Sequence, residues 1–331
     1  MSIFDSEFAF VHAFVARLSC HEVVAAGMQG FRTDCDAYSA WIAQSLLFER
    51  EKDRLAQALL RKEIGFVWLK GAALRQTLYP NPQLRAMSDL DLLIQETDLD
   101  AADALLRELG YRTPVTGLGS EQVRERQYVR TIGAFQVPID LHWDLNSAPA
   151  LRGRLGANLL IDSADSDRCV THVHAFIHAC LHRAANRVYE RNRPVWLLDI
   201  VLLWSAMTSS QKDEVVQLAR DRSLQTVCFD GLRAAAEFWG VDVNHHGLSR
   251  LPWETTAQLL QCTTSWQRFV VDIRHLPNTA SRLRWICQAL FPPKSYMRAR
   301  GRRGGALLLP WRYLSRALGG VINAIRGRTR R

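Results

Sequence analysis

Residues 66–94, FVWLKGAALRQTLYPNPQLRAMSDLDLLI, decide how the rest of the chain is read. Phe66-Val67-Trp68-Leu69 is a short apolar run between Gly65 and Lys70-Gly71, the pattern of a buried strand. Ala72 to Leu78 reads as a short helix, and Tyr79-Pro80-Asn81-Pro82 ends it, because proline cannot continue a helix. Asp89-Leu90-Asp91-Leu92-Leu93-Ile94 then reads as a second strand. Side chains alternate along a strand, so Asp89 and Asp91 share one face while Leu90, Leu92 and Ile94 take the other. Aspartate is depleted in strands, and two like charges on one face repel unless something positive neutralises them. A hard divalent cation held by oxygen ligands does so; beside phosphates Mg²⁺ is the usual choice, with Mn²⁺ as its alternative.

Working outward, Lys70-Gly71-Ala72 sits where a strand gives way to a helix. A glycine there lets the backbone approach a phosphate, and the first amides of a helix favour anions. Lys70 adds a point charge for a triphosphate, Arg85 in the loop before Asp89 is a second such charge, and Ser88 caps or bonds locally. Thr97 is the expected N-cap of a helix whose apolar face is Leu99, Ala102, Leu105, Leu106 and Leu109, closed by Gly110. After a polar stretch, residues 134–143, AFQVPIDLHW, read as one or two further strands. Asp140 lies there between Ile139 and Leu141, with His142 on its own face. If this strand neighbours the earlier one, Asp89, Asp91 and Asp140 converge on one patch, as a two-metal phosphoryl or nucleotidyl transfer site requires.

The remainder bounds the reading. Of 331 residues, 48% are hydrophobic and 23% charged, which excludes disordered and low-complexity classes. The start, MSIFDSEFAF, lacks the basic and apolar regions of a signal peptide, and no apolar run reaches the roughly 20 residues of a membrane span. Seven scattered cysteines without a CxxC pair fit reduced thiols, so a cytoplasmic location is expected. The net charge of +9 is uneven: from Phe291 onward the chain carries Lys294, ten arginines and no acid, leaving −2 for residues 1–290. That tail, with its amphipathic ALLLPWRYLSRALGGVINAI, is expected either to be a solvated basic end or to contact an anionic membrane surface, RNA or an acidic partner; the membrane contact places the protein at the inner membrane face. Residues 150–290 read as mainly helical. His174, His178 and His182 line one helical face, but with about 12 Å from first to last they cannot share one ion. They read as core or polar-contact residues, with one adjacent pair plus Asp199 as the metal-binding alternative, or with His178 or His182 facing a substrate. GxSxG and GxxxxGK[ST] are absent.

With VWLKGAALRQTLYPNPQLRAMSDLDLLI followed by VPIDLHW, the chain resembles the uncharacterised nucleotidyltransferase family of the DNA polymerase β-like nucleotidyltransferase superfamily. The specific likeness covers about residues 64–145, and HAFIHACLHRA and RPVWLLDIVLLW carry a weaker echo of it. The resemblance implies an α+β fold: a minimal nucleotidyltransferase mixed sheet with flanking helices, plus a mainly helical C-terminal domain. Four units are expected: a helical segment over 1–62, the core over 63–148, a helical domain over 149–290 and the tail over 291–331. It further implies metal-dependent transfer of a nucleoside monophosphate from an NTP to a hydroxyl acceptor, with pyrophosphate leaving. Asp89, Asp91 and Asp140 take the catalytic and metal-binding roles; Lys70, Gly71, Ala72, Arg85, Ser88 and His142 form the expected nucleotide-binding set. Gly71-Ala72 stands where the superfamily commonly has Gly-Ser. Relatives often occur near polysaccharide-biosynthesis genes, and the acceptor class (sugar, small metabolite, protein or RNA) stays open. Two rival readings are a non-catalytic nucleotide- or partner-binding adaptor on the same scaffold, and an RNA-binding protein acting through its tail.

Overall fold

A computed structural model describes residues 35–114, 124–190, 192–291 and 313. The expected helices before residue 35 and the basic tail beyond Phe291, Tyr313 apart, lie outside the described residues. Helix α1 (Cys35–Arg61) buries Phe48, Leu55, Ala58 and Leu59, an apolar stripe at helical spacing. Four strands follow: β1 (Phe66–Trp68), β2 (Leu90–Ile94), β3 (Glu125–Ile132) and β4 (Phe135–His142). They form one mixed sheet in the order β1-β2-β4-β3. β1 runs antiparallel to β2, and β4 is antiparallel to β3. The central pair β2 and β4 is parallel, with Asp91 directly opposite Asp140 and Leu93 opposite His142. This is the α+β arrangement, a mixed sheet with flanking helices, that the family resemblance implies.

Three details differ from the sequence reading. Helix α3 (Leu99–Glu108) has Asp98, not Thr97, at its N-cap. Residues Glu96–Asp98 already form a 3₁₀ turn, so Thr97 sits inside a helical turn and is not in a position to cap one. Asp89 lies one residue ahead of β2. The polar stretch before residue 134 holds β3, joined to β4 by a two-residue turn in which Gly133 has φ +59°. Tight hairpins need such a left-handed residue, which glycine supplies without strain.

The helices after the sheet are α4 (Ala157–Asp162), α5 (His172–Asn186), α6 (Pro194–Ala206), α7 (Ser209–Asp221) and α8 (Gln225–Trp239), then shorter ones over Gln258–Gln261, Ser265–Arg274 and Thr279–Leu290. α5, α6 and α8 pack on one another. Gly231 of α8 permits the closest approach: a Cβ there would lie 2.6 Å from Cys180 Sγ on α5. Two links tie these helices to the sheet. Residues 168–170 run beside β1, Trp68 N–H donating to Arg168 O at 2.7 Å and Val170 N–H to Trp68 O at 3.2 Å. α5 begins two residues later and is thereby delivered to the β1 edge. The second link is Asp199, an acid on the otherwise apolar and largely buried α6, which meets Arg85 from the loop before β2. Among the described residues no helix is long and apolar enough to cross a membrane.

Candidate active site

The site grows from the central strand pair. Parallel neighbours place opposed side chains side by side, so the register alone sets the Asp91 and Asp140 carboxylates on adjacent strands of one face. His142, two residues beyond Asp140, points to the same face. One ligand atom from each of Asp91, Asp140 and His142 lies within 4.8 Å of the others. His142 Nε2–H donates to Asp91 Oδ1 at 3.0 Å, and its Nδ1 lies 3.4 Å from Glu125 Oε2 on β3. Gln127, opposite Asp140 in the β3–β4 register, donates through Nε2 to Asp140 Oδ1 at 3.2 Å.

The turn from β1 into α2 (Lys70–Thr77) is pinned beside this patch. Leu69 N–H donates to the main-chain oxygen of Asp91 at 3.0 Å, and Lys70 takes a left-handed conformation with φ +45°. Together these swing the Lys70 ammonium onto Asp91 Oδ1 at 2.6 Å. The first i→i−4 bond of the helix is Ala73 N–H to Leu69 O, so the amides of Lys70, Gly71 and Ala72 precede the helical ladder. Gly71 is required by the fold itself: a Cβ would lie 2.9 Å from Met87 Cβ, in the loop that leads to Asp89. Ala72 is fully buried in the core, backbone and side chain alike.

Burial works against every charge here, and the outcomes differ by neighbour. Burial alone would raise the Asp91 carboxyl, but the Lys70 ammonium and the His142 hydrogen bond outweigh it and hold the group far below the usual carboxylate range. Asp89 moves up to about 6, because it is desolvated and faces the charges of Asp91 and Asp140, against which its Ser88 hydrogen bond counts for less. Glu125 is also raised, by burial and then by Asp140, against the opposing pull of His142. Lys70 and His142 are raised despite burial, each by Asp91. Four carboxyl groups thus surround Lys70 and His142, and the upward shifts of Asp89 and Glu125, caused first by burial, are reinforced by the neighbouring carboxylates. Two carboxylate oxygens and an imidazole nitrogen within reach of one point, in a field of surplus negative charge, fit a divalent cation. Asp89 is close enough to feel both other aspartates yet is not in the Asp91–Asp140–His142 set, having left the strand whose alternation would have aligned it.

Arg85 is not free to meet a phosphate. It is buried in an ion pair with Asp199, Nη2 to Oδ2 at 2.8 Å and Nε to Oδ1 at 2.9 Å, and its Nη1 donates to Ala86 O. Tyr79 OH donates to the same Asp199 Oδ1 at 2.7 Å. Asp199 is therefore taken up by Arg85 and Tyr79 rather than by histidines. The histidine stripe divides. His174 contacts the hydroxyls of Thr171 and Ser163. His178 and His182 instead border an open pocket between α2, α5 and α6, whose empty space is about 380 Å³ with open solvent included. Lys70 forms the wall that this pocket shares with the carboxylate patch.

β3 contributes Glu125 and Gln127, two residues that sequence reasoning missed. Their period-two spacing opposite Asp140 and His142 is the signal that would have found them, had β3 been recognised.

A parallel strand pair carrying opposed aspartates, a strand–glycine–helix turn beside them and a flanking helical layer are the arrangement that the sequence resemblance implies for a nucleotidyltransferase. The chain belongs to the uncharacterised nucleotidyltransferase family, whose model matches residues 14–240. That match takes in the sheet, the carboxylate patch and helices α5 to α8 together with the pocket between them. No curated protein matches the chain.

Proposed function

We propose that this enzyme moves a nucleoside monophosphate from an NTP to a hydroxyl acceptor, with Mg²⁺ or Mn²⁺ at Asp91, Asp140 and His142 and with Asp89 beside them. The supporting observation is the register: Asp91 opposite Asp140 on parallel neighbours, with His142 hydrogen-bonded to Asp91 and close to Glu125 of β3. A bound divalent cation supplies Lewis acidity and neutralises charge on the reacting phosphate. The chain's own groups do the rest. Asp140, the aspartate of the pair on the Gln127 side, takes the proton of the acceptor hydroxyl as its oxygen bonds to the α-phosphorus. The bond from that phosphorus to the bridging oxygen breaks, and the electron pair departs with pyrophosphate. Lys70, beside the Gly71 turn, meets the charge on the phosphates. Before the cation binds, His142 hydrogen-bonds Asp91 and helps to keep it ionised; with the cation bound its ring nitrogen is given to the metal instead. Gln127 orients Asp140.

The test is pyrophosphate release from labelled NTPs with panels of sugar, metabolite, protein and RNA acceptors. Asp140→Asn should lower it by about a hundredfold or more, as should chelation of the metal. Release that survives both changes would overturn the proposal.

A further inference from the structure

His178 is the most unusual residue outside the carboxylate patch. It is 3% exposed, lines the pocket, and among the described residues makes no side-chain hydrogen bond that would hold its ring nitrogens away from that space. It faces the pocket described above. His182, its neighbour one turn along α5, is occupied by Asn186 and meets Trp196 of α6 edge to face, ring centres 4.6 Å apart.

The walls say what kind of group fits. Their formal charges are already spent on one another: Arg85 on Asp199, and Lys70 on Asp91. Burial, assisted by the Lys70 charge, lowers His178 to about 3 and His182 well below its ordinary value, so both rings are neutral at physiological pH. Leu74, Ala175, Ala179 and Trp196 supply apolar surface. An anion would find no unpaired cation within, whereas an uncharged heteroaromatic ring would find apolar and aromatic contact and one buried hydrogen-bonding imidazole. Position says where that ring belongs on a larger molecule. Lys70 and Leu74, one turn apart on α2, line the pocket, and Lys70 is the first residue of that helix. A ligand leaving the pocket therefore meets Lys70 before it meets Asp91 and Asp140. Ring, then phosphates, then metal-capable carboxylates is the order of groups along a nucleoside triphosphate. The Gln127 and Glu125 side of the patch is left to the acceptor.

We infer that the pocket between α2, α5 and α6 seats the nucleobase of the NTP, with His178 hydrogen-bonding the base edge and Trp196 lending aromatic surface. This rests on the nucleotidyl-transfer reading and adds to it a base-recognising residue on the helical side of the molecule.

The experiment is calorimetric titration of the full-length protein with adenosine, guanosine, cytidine and uridine, and separately with inorganic tripolyphosphate. Wild type, His178→Ala, His178→Asn and Trp196→Leu are compared, each checked for folding by circular dichroism and melting. At least one nucleoside should bind wild type, and His178→Ala should weaken it about tenfold or more. His178→Asn, which keeps a donor and an acceptor, should recover part of that loss, and Trp196→Leu, folded normally, should show the same nucleoside-selective loss. Tripolyphosphate affinity should be unchanged in all three variants. Equal nucleoside binding by wild type and both His178 variants overturns the inference and leaves the transfer reading standing. So does binding of tripolyphosphate without any nucleoside. If neither probe binds, with or without Mn²⁺, the transfer reading fails and this inference fails with it.

Discussion

The Arg85–Asp199 pair is the most demanding electrostatic feature of the molecule and gives the sharpest prediction. The two side chains are 8% and 5% exposed, the guanidinium donates along three contacts of 2.8 to 3.2 Å, and Tyr79 OH donates to the same carboxylate. Burial opposes the Arg85 charge, but Asp199 more than restores it. Asp199→Ala strands a buried guanidinium and removes the tyrosine's acceptor, a combined cost of about 4 kcal/mol. For a chain of this length that corresponds to a fall of roughly 6 °C in Tm. Replacing both partners with apolar residues of similar size, Arg85→Met with Asp199→Leu, should return stability to within about 2 kcal/mol of wild type, since no charge is then left unpaired. Asp199→Asn should fall between, keeping an acceptor for Tyr79 but no counter-charge. Thermal melts followed by circular dichroism on wild type, Arg85→Met, Asp199→Leu and the double variant complete a double-mutant cycle, with Asp199→Ala and Asp199→Asn measured beside it. A cost below about 1 kcal/mol for Asp199→Ala would refute the burial argument. A double variant as damaged as the sum of the singles would refute the coupling, and with it the view that the pocket walls are self-neutralised.

Other consequences follow from the same geometry. Lys70→Met removes the ammonium that occupies Asp91 Oδ1, so Mn²⁺ affinity without nucleotide, read by electron paramagnetic resonance, should rise about tenfold; unchanged or weaker binding would refute that competition. Gly71→Ala forces a Cβ to within 2.9 Å of Met87, and the displaced loop should lower stability by about 1–2 kcal/mol in a denaturant titration. Asp103 gives a pH prediction. Burial would raise its carboxyl, but Arg107, Tyr128 and Arg126 hold it down at about 2 against an ordinary 3.8. Folding therefore favours the ionised form, and that stabilisation, complete above the ordinary value, should be lost as pH falls through 3.8 toward about 2. Asp103→Asn should flatten the Tm profile across that window; an unaltered acid limb would contradict the assignment.

What could be read from the sequence follows physical locality. Leu90, Leu92 and Ile94 alternate with Asp91, and Ile139 and Leu141 flank Asp140, so burial on one face announces each strand and the acid on its other face. Gly71 was legible as a close approach, and the structure places Met87 of the facing loop against it. β3 was not legible, because ERQYVRTI turns polar residues to the site and mixes Arg126, Tyr128 and Arg130 on its other face, leaving no apolar run to mark it. Glu125 and Gln127 were lost with it. Arg85 had the composition of a phosphate ligand, but its partner stands 114 residues away on α6, and no local pattern reports such a pairing. The histidine periodicity was visible. That His174 serves the helix start while His178 and His182 border the pocket depends on how α5 docks against β1, which is a tertiary fact.

The central claim, a metal-dependent nucleotide site at Asp91, Asp140 and His142, is tested most directly by calorimetric titration of non-hydrolysable ATP and GTP analogues. The titrations are run with and without Mg²⁺, on wild type and on Asp91→Asn/Asp140→Asn. The account predicts binding by wild type that requires the metal and is lost in the double variant. Nucleotide affinity that is the same with and without metal, or that survives loss of both carboxylates, would contradict it.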